Sequence, residues 1–253
     1  MALPRDPQPV SPRDIPDPAA QALLRGVAHT GQLVRQPGPI PGTGRVVEVV
    51  RPIDTERLLD QSAADPEQNL PYWAEVWPSG IALAAAIGAS PQTVAGLPVL
   101  ELGCGLGITA AVALASGARL VASDYAPEAL LLTRLTCRLH TGREPATRRI
   151  NWRAPTADLL QDDGSPWPVV LAADVLYERR DIEPLLALFE RIVAADGLVW
   201  LAEPGRQPAA VALERATSRG WEIATTTWDA DWPDPKDASV IVRVHQLRRR
   251  SPY

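Results

Sequence analysis

Three glycines at alternating positions, Gly103, Gly105 and Gly107, stand between a short apolar run and a helical pattern. Residues 99–102 read V-L-E-L, which is typical of a buried strand, and apolar residues recur at helical spacing after the third glycine. Glycine adopts positive φ and lets a bound molecule approach the main chain where a Cβ would collide. The helix start behind the glycines offers unpaired N–H groups. The stretch therefore predicts a strand, a glycine turn and a helix around a ligand site.

An acidic residue follows at the end of the next apolar run. Asp124 lies seventeen residues past Gly107 and directly after R-L-V-A-S at residues 119–123, which predicts a second strand. A carboxylate there can accept hydrogen bonds from both hydroxyls of a ribose. The third glycine of the dinucleotide fingerprint G-x-G-x-x-G would fall on Ile108, so the pattern disfavours an oxidoreductase that uses a nicotinamide dinucleotide.

The glycine stretch resembles the first motif of the class I, S-adenosylmethionine (SAM) dependent methyltransferases, E/D-x-G-x-G-x-G after the first strand. The resemblance implies an α/β, Rossmann-like fold with a seven-stranded, mostly parallel sheet, helices on both faces and a C-terminal antiparallel hairpin. It also implies SAM as cofactor and S-adenosylhomocysteine as product. The cofactor contacts that it implies lie at the carboxyl ends of the strands or directly after them, at Glu101, Gly103, Cys104, Gly105, Gly107, Asp124, Tyr125 and Ala173.

A tryptophan-containing segment, L-P-Y-W-A-E-V-W-P at residues 70–78, precedes a predicted helix whose N-cap we expect at Ser79. It resembles the segment before the first core helix in the protein lysine methyltransferases of methyltransferase family 16. Within that group the resemblance is to the electron-transfer-flavoprotein β-subunit lysine methyltransferases and their bacterial relatives. It implies that Trp77 lies against the cofactor, where a sulfonium cation gains cation–π attraction. The alternative is a packed aromatic lid.

A second tryptophan follows the predicted third strand. Asn151-Trp152 resembles the (D/N)-W step that borders the adenine in this family, which implies that Trp152 contacts the cofactor. Asp158 is a competing adenine contact, ranked below Trp152. The alternative for Trp152 is packing on the sheet at the end of a strand.

Asp174 and Tyr177 follow the predicted fourth strand, V-V-L-A-A at residues 169–173. Open α/β sheets bind ligands at the carboxyl ends of their strands. The spacing resembles the D/E-x-x-Y/F motif of the family 16 lysine methyltransferases, which implies a catalytic site. Asp174 would orient the acceptor ammonium and pass its proton to water, and Tyr177 would wall the acceptor channel. The alternative is that Asp174 caps a turn and Tyr177 packs.

Composition restricts the class of protein. With 253 residues, 46% of them hydrophobic, the chain can bury the core of one α/β domain. A net charge of -5, with basic residues concentrated only at 248–250, argues against nucleic-acid binding. Cys104 and Cys137 lack the spacing of a zinc site, so no metal is expected. No apolar run is long enough to span a membrane, and we expect a cytoplasmic monomer or weak dimer.

Proline content and the motifs divide the chain into three segments. Residues 1–44 are expected to be Pro-rich and partly disordered, with the first eighteen loosely attached and a loop at 37–44. Residues 45–247 are expected to form the methyltransferase domain, which ends in a hairpin of strands at 221–228 and 239–247. Residues 248–253 are expected to form a basic tail.

The sequence therefore predicts a SAM-dependent methyltransferase that acts on a lysine side chain of a protein. Fold alone does not decide the substrate, so a small-molecule N- or O-methyltransferase of the same fold stays open. A non-catalytic SAM-binding protein is the third hypothesis. A small closed acceptor cavity would favour a small-molecule substrate.

Overall fold

A computed structural model describes residues 7–63, 65, 67, 70–155 and 159–250. The N-terminal elements are β1 (Gln8–Pro9), α1 (Pro18–Gly26), β2 (Leu33–Ile40), β3 (Arg45–Pro52) and α2 (Thr55–Ser62). The remaining elements are α3 (Pro78–Ala89), β4 (Pro98–Leu102), α4 (Ile108–Ala115), β5 (Arg119–Asp124), α5 (Pro127–Thr141), β6 (Ala146–Arg149), β7 (Trp167–Ala173), α6 (Ile182–Ile192), β8 (Val193–Glu203), α7 (Gln207–Ser218), β9 (Trp221–Trp228) and β10 (Val242–Arg249).

The main sheet of the described residues has seven strands in the order β6-β5-β4-β7-β8-β10-β9. The strands from β4 to β8 are parallel, and β10 pairs antiparallel with both β8 and β9. The predicted α/β fold, mostly parallel with a C-terminal antiparallel hairpin, is confirmed.

Apolar side chains cover both faces of this sheet. Successive residues of a strand point to opposite faces, so Val169 and Leu171 of β7 belong to one core and Val170 and Ala172 to the other. The first core includes residues of α3, α4 and α5, and the second includes residues of α6 and α7. Burial on both faces explains why the central strands read as continuous apolar runs.

Strands are added to the sheet in two directions from β4. From β4 it continues outward through β5 and β6, and then it returns to the other side of β4 for β7 and β8. The loops after β4, β5 and β7 therefore diverge around one point at the carboxyl edge. This reversal of strand order is where open α/β sheets bind ligands.

The N-terminal segment packs against the domain over its described residues, 7–44. Ile15 is 1% exposed, and Leu23 and Leu24 of α1 are buried in the first core. Asp17 caps α1 by accepting from the N–H of Ala19, and it also pairs with Arg138 of α5. The expectation of loose attachment is therefore wrong for residues 7–18, because Ile15 and Asp17 both have partners on the domain.

The loop expected at residues 37–44 is a strand over its first half. β2 runs through Pro37 and Pro39 and pairs antiparallel with β3 along its length. In the described residues β1 pairs only with Val34 and Arg35, so β2 has a free edge at both prolines. Proline is tolerated at such an edge because no ladder hydrogen bond is required of it there.

The start of α3 and the end of β10 differ from the sequence prediction, whereas the end of α7 agrees with it. α3 begins at Pro78 with Trp77 as its N-cap, so the N-cap predicted at Ser79 is wrong; proline suits the first helical position because its missing N–H has no helical partner. α7 ends before Gly220, which has φ +88°, as expected for a glycine behind a helix. Arg248 and Arg249, assigned from sequence to a tail, extend β10.

None of the helices among the described residues combines the length and the apolar composition that crossing a bilayer requires. The same residues contain no group of three or more His, Cys, Asp or Glu side chains that could hold a metal ion.

Candidate active site

A cleft of about 990 Å3, part of it open to solvent, lies at the carboxyl ends of β4, β5 and β7. The structure brings together in its lining every cofactor and catalytic residue predicted from the sequence, namely Trp77, Glu101, Gly103, Cys104, Gly105, Gly107, Asp124, Tyr125, Trp152, Ala173, Asp174 and Tyr177. The residues at the ends of β4, β5 and β7 converge because β5 and β7 flank β4, so the loops after the three strands share one edge.

The glycine turn has positive φ at all three positions, +68° at Gly103, +50° at Gly105 and +81° at Gly107. A Cβ on Gly107 would lie 2.7 Å from the Cα of Thr133 in α5. A Cβ on Gly103 would lie 2.9 Å from the Cγ1 of Val175. The sequence predicts that the glycines let a ligand approach the main chain. The structure shows that Gly103 and Gly107 also let neighbouring segments of the protein pack closely against the turn.

Asp124, at the end of β5, is 9% exposed. Its two carboxylate oxygens accept hydrogen bonds from the N–H groups of Gly105 and Ala126, both at 3.0 Å. Burial raises the pKa of Asp124 above its ordinary value, and these backbone hydrogen bonds act in the opposite direction. A carboxylate has about four acceptor positions, so capacity remains for a ligand hydroxyl.

Glu101, at the same edge, is 2% exposed, and its Oε2 has no hydrogen-bond partner among the described residues. Burial, and then the nearby charge of Asp124, raise the pKa of Glu101 to about 8. A buried carboxyl oxygen without a partner costs free energy, and a donor on a bound molecule would remove that cost. The cleft therefore fits a ligand with a hydrogen-bond donor, such as an ammonium group, near the end of β4.

The raised pKa of Glu101 predicts a pH dependence of stability. Between its ordinary value of 4.5 and about 8, the folded protein holds a proton that the unfolded chain has released. Stability therefore falls as the pH rises through this window. We expect Glu101→Gln to lose much of this slope in urea unfolding of the ligand-free protein. The control is Glu48→Gln, whose side chain is 53% exposed; equal slopes for Glu101→Gln and wild type would contradict the prediction.

Trp152 is oriented by a buried carboxylate. Its indole Nε1 donates to the Oδ1 of Asp181 at 2.8 Å, and the Nε of Arg153 donates to the same oxygen at 2.6 Å. Asp181 is fully buried. A Cβ on Gly103 would lie 3.7 Å from the Trp152 ring, so the indole borders the glycine turn. This arrangement supports an adenine contact for Trp152; the competing Asp158 lies outside the described residues.

Trp77 lines the cleft together with two tyrosines, Tyr72 and Tyr177. Its Nε1 donates to the carbonyl of Tyr72 at 2.8 Å, and the two rings meet edge to face at 6.0 Å. The ring of Tyr72 also meets that of Tyr177 edge to face at 5.2 Å. Burial, and then the nearby charges of Asp181 and Glu178, raise the pKa of the Tyr177 phenol. Tyr177 therefore keeps its proton at neutral pH and remains a hydrogen-bond donor.

Asp174 is held in a strained backbone conformation beside a cation. Among the described residues it is the one non-glycine residue with positive φ, at +54°. Its carboxylate accepts two hydrogen bonds from Arg206, Nε to Oδ1 at 2.8 Å and Nη2 to Oδ2 at 3.3 Å. Strained residues of this kind cluster at functional sites. The sequence predicts an acceptor contact for Asp174 and gives no partner for it; the structure pairs its carboxylate with Arg206.

Sequence reasoning missed Arg206 and Asp181. Arg206 follows β8 in E-P-G-R, and a polar cluster directly after a parallel strand was the available signal. Asp181 carried no such signal, because its role depends on burial against Trp152 and Arg153, which are about thirty residues away in the chain.

A sequence model of the family described as "Lysine methyltransferase" matches residues 67–212, which contain all the residues predicted for the site. Among curated relatives, the electron transfer flavoprotein beta subunit lysine methyltransferase of Danio rerio is 33% identical over 142 residues, 54% of this chain and 51% of that protein. The chain spans about half the length of the first curated relatives that it matches.

Another curated relative is similar to this chain in sequence, and a solved structure is similar to it in fold. The histone-arginine methyltransferase METTL23 of Mus musculus is 28% identical over 178 residues, 68% of this chain and 65% of that protein. The magnesium protoporphyrin IX methyltransferase of Synechocystis PCC 6803, solved with bound SAM, is 14% identical with a TM-score of 0.53. That match covers 78% of this chain and 97% of the other, and at this identity it shows a shared fold.

Proposed function

The chain belongs to the lysine methyltransferase family, and from that premise we propose that it transfers a methyl group from SAM to a lysine side chain of a protein. The observation that carries the proposal is a single cleft in which a glycine turn and two buried acids adjoin Asp174 and Tyr177. One part of this cleft fits the cofactor, and the other part fits an acceptor.

The cofactor half rests on residues whose chemistry matches the parts of SAM. Asp124 retains acceptor capacity for ribose hydroxyls, and the unpartnered Oε2 of Glu101 suits the ammonium of the methionine part. Trp152 and Trp77 both line the cleft, where indole rings can stack on adenine and attract a sulfonium. When bound, SAM supplies an electrophilic methyl carbon.

The acceptor half must bind an amine whose lone pair is free. A lysine amine has a pKa near 10.4, so at neutral pH only about one in a thousand is uncharged. Asp174 can accept a hydrogen bond from the amine and so direct its lone pair, and the Tyr177 ring can wall the channel. We assign the release of the lysine proton to solvent at the open side of the cleft, beside Asp174.

The rim of the cleft supports a protein as acceptor. Leu70 and Tyr72 line it and are 46% and 40% exposed. Apolar side chains at a solvent-open rim suit contact with a macromolecule more than enclosure of a small metabolite. The named activities of the relatives, on lysine and on histone arginine, agree with a protein acceptor and make the acceptor side chain the point to test.

The test incubates the purified protein with methyl-labelled SAM and cell extract, followed by acid hydrolysis of the labelled bands. We expect label in protein, recovered as methyl-lysine, and far less label after the same time with the Asp174→Asn variant. Recovery as methylarginine would reassign the acceptor, and label confined to small metabolites would favour the small-molecule alternative. Calorimetric SAM binding without any transfer would identify a non-catalytic SAM-binding protein.

A further inference from the structure

The acceptor side of the cleft continues into a solvent-open pocket of about 1210 Å3 next to Asp174 and Arg206. Two carboxylates line this pocket, and each is paired with an arginine. Asp174 is paired with Arg206, and Glu178 is paired with Arg180, whose Nη2 donates to Oε1 at 3.2 Å. An amine that enters the pocket therefore meets carboxylates whose negative charges are already paired with arginine cations.

The Asp174–Arg206 pair is well oriented. The guanidinium presents two N–H groups to the two oxygens of a carboxylate whose side chain is 8% exposed. Its Cζ also lies 5.8 Å from the centre of the Trp77 ring, so the cation has a second favourable contact. Paired, planar contacts of this kind hold arginine in one geometry and are stronger than a point-charge contact.

A buried carboxylate fixes the backbone that carries Arg206. Glu203, 4% exposed, accepts hydrogen bonds from the N–H groups of Gly205 at 2.6 Å and Arg206 at 2.9 Å. The Nε2 of His245 lies 3.4 Å from the other oxygen of Glu203. The position of Arg206 is therefore set by the end of β8 and not by Asp174 alone.

The charge on Asp174 decides the protonation of the acceptor. An unpaired carboxylate within about 4–6 Å of an amine favours the ammonium and raises the amine pKa by roughly 1–3 units. The ammonium has no lone pair and cannot accept a methyl group. A guanidinium that neutralises the carboxylate removes this effect while leaving lone pairs on the oxygens to accept an N–H hydrogen bond.

We propose that Arg206 is a positioning residue that neutralises Asp174, so that the acceptor pocket binds an amine in its uncharged form. The inference rests on the proposed function, since it names the form of the acceptor that this site takes. Before binding, the ammonium gives its proton to water or buffer, and the neutral amine then donates one N–H to Asp174.

The other charged groups around the pocket do not replace Arg206. On the facing loop, Lys236 pairs with Glu75 and Asp234, each at 3.1 Å. Asp237 lies next to them, and burial raises its pKa. Deeper in the cleft are Glu101, Asp124 and Arg153, and the Arg153 guanidinium is paired with Glu67 and Asp181. The lining also includes the phenols of Tyr72, Tyr125 and Tyr177. Loss of Arg206 would leave this set more negative, which favours the ammonium.

The experiment measures the pKa of a bound amine. The probe is n-butylamine labelled with 13C beside its nitrogen, which mimics the tip of a lysine side chain, bound to the protein saturated with S-adenosylhomocysteine. We expect the 13C shift to titrate at least about one pH unit below the free amine in wild type. In Arg206→Gln we expect it to titrate above the free amine. Arg206→Lys, which keeps the charge, should lie close to wild type.

Two further variants keep the result specific. Arg179→Gln removes the same charge from an exposed residue outside the pocket lining and should titrate as wild type does. The double variant Asp174→Asn, Arg206→Gln removes both charges and should again lower the amine pKa. If Arg206→Gln does not fold, Asp174→Asn, which keeps the arginine charge, is compared with the double variant. We expect Asp174→Asn to titrate lower, and equal values would overturn the proposal.

Three outcomes would overturn the proposal: no saturable binding of the amine to wild type, a wild-type pKa above that of the free amine, or equal values in wild type and Arg206→Gln. The readout needs no protein acceptor. A lowered amine pKa without protein labelling would therefore count against the proposed function and leave the role of Arg206 standing.

Discussion

Asp174→Asn is expected to lower the single-turnover rate of methyl transfer by about 100-fold or more, because loss of the oriented carboxylate misplaces the acceptor amine. The amide keeps the shape of the side chain but removes the charge that anchors Arg206. Asparagine and aspartate are both enriched at positive φ relative to other non-glycine residues, so the substitution leaves the backbone strain at +54° nearly unchanged. The measurement is rapid-quench transfer to the acceptor identified by labelling.

The matched control is Asp162→Asn, the same chemical change at a side chain that is 97% exposed and paired with Arg148. We expect it to transfer at the wild-type rate. SAM affinity should change little in either variant, because the predicted ribose and methionine contacts are made by Asp124 and Glu101. A wild-type rate for Asp174→Asn would make Asp174 a turn residue and remove the main chemical support for an amine acceptor.

Gly107→Ala is expected to lower the free energy of unfolding by about 3 kcal/mol or more. Two costs add at this position. The backbone has φ +81°, which disfavours a Cβ, and the added Cβ would lie 2.7 Å from the Cα of Thr133. Main-chain atoms of a packed helix cannot move aside as a flexible side chain can, so α4 and α5 must separate. SAM affinity should fall too, because the turn carries the Gly105 N–H bonded to Asp124.

Gly142→Ala separates these two costs. Gly142 also has positive φ, +70°, but an added Cβ there would meet no atom within 4 Å. We expect a loss of about 1 kcal/mol from backbone strain alone. Urea unfolding of both variants measures the difference, which reports the contact with α5. Equal losses would show that the turn relaxes without disturbing the helix.

Local patterns predicted the parts of the fold that depend on neighbours in the chain. The apolar run, the glycines and the helical spacing correspond in the structure to β4, the turn and α4. The C-terminal hairpin, predicted at 221–228 and 239–247, is observed at Trp221–Trp228 and Val242–Arg249. Period-2 and period-3.6 patterns carry this information because each element buries one face or both against the same core.

Pairing with distant chain decided the parts that were predicted wrongly. Pro37 and Pro39 indicate a loop when only their neighbours in the chain are considered. In the structure, however, β3 pairs with β2 along the whole length of β2, which includes both prolines. Ile15 lies in a proline-rich stretch without periodicity and is nevertheless buried in the core. Burial and strand pairing of such residues are tertiary properties, and no local pattern encodes them.

The sequence by itself determined the family, the seven-stranded sheet and the residues that converge at its carboxyl edge, because a glycine motif and acids after successive strands imply that convergence. Only the tertiary structure decided the charge of the site. Arg206 and Asp174 are 32 residues apart and meet because β7 and β8 are adjacent parallel strands that end side by side. The net charge around a carboxylate depends on which charged groups lie within a few ångströms of it, and tertiary packing sets those distances.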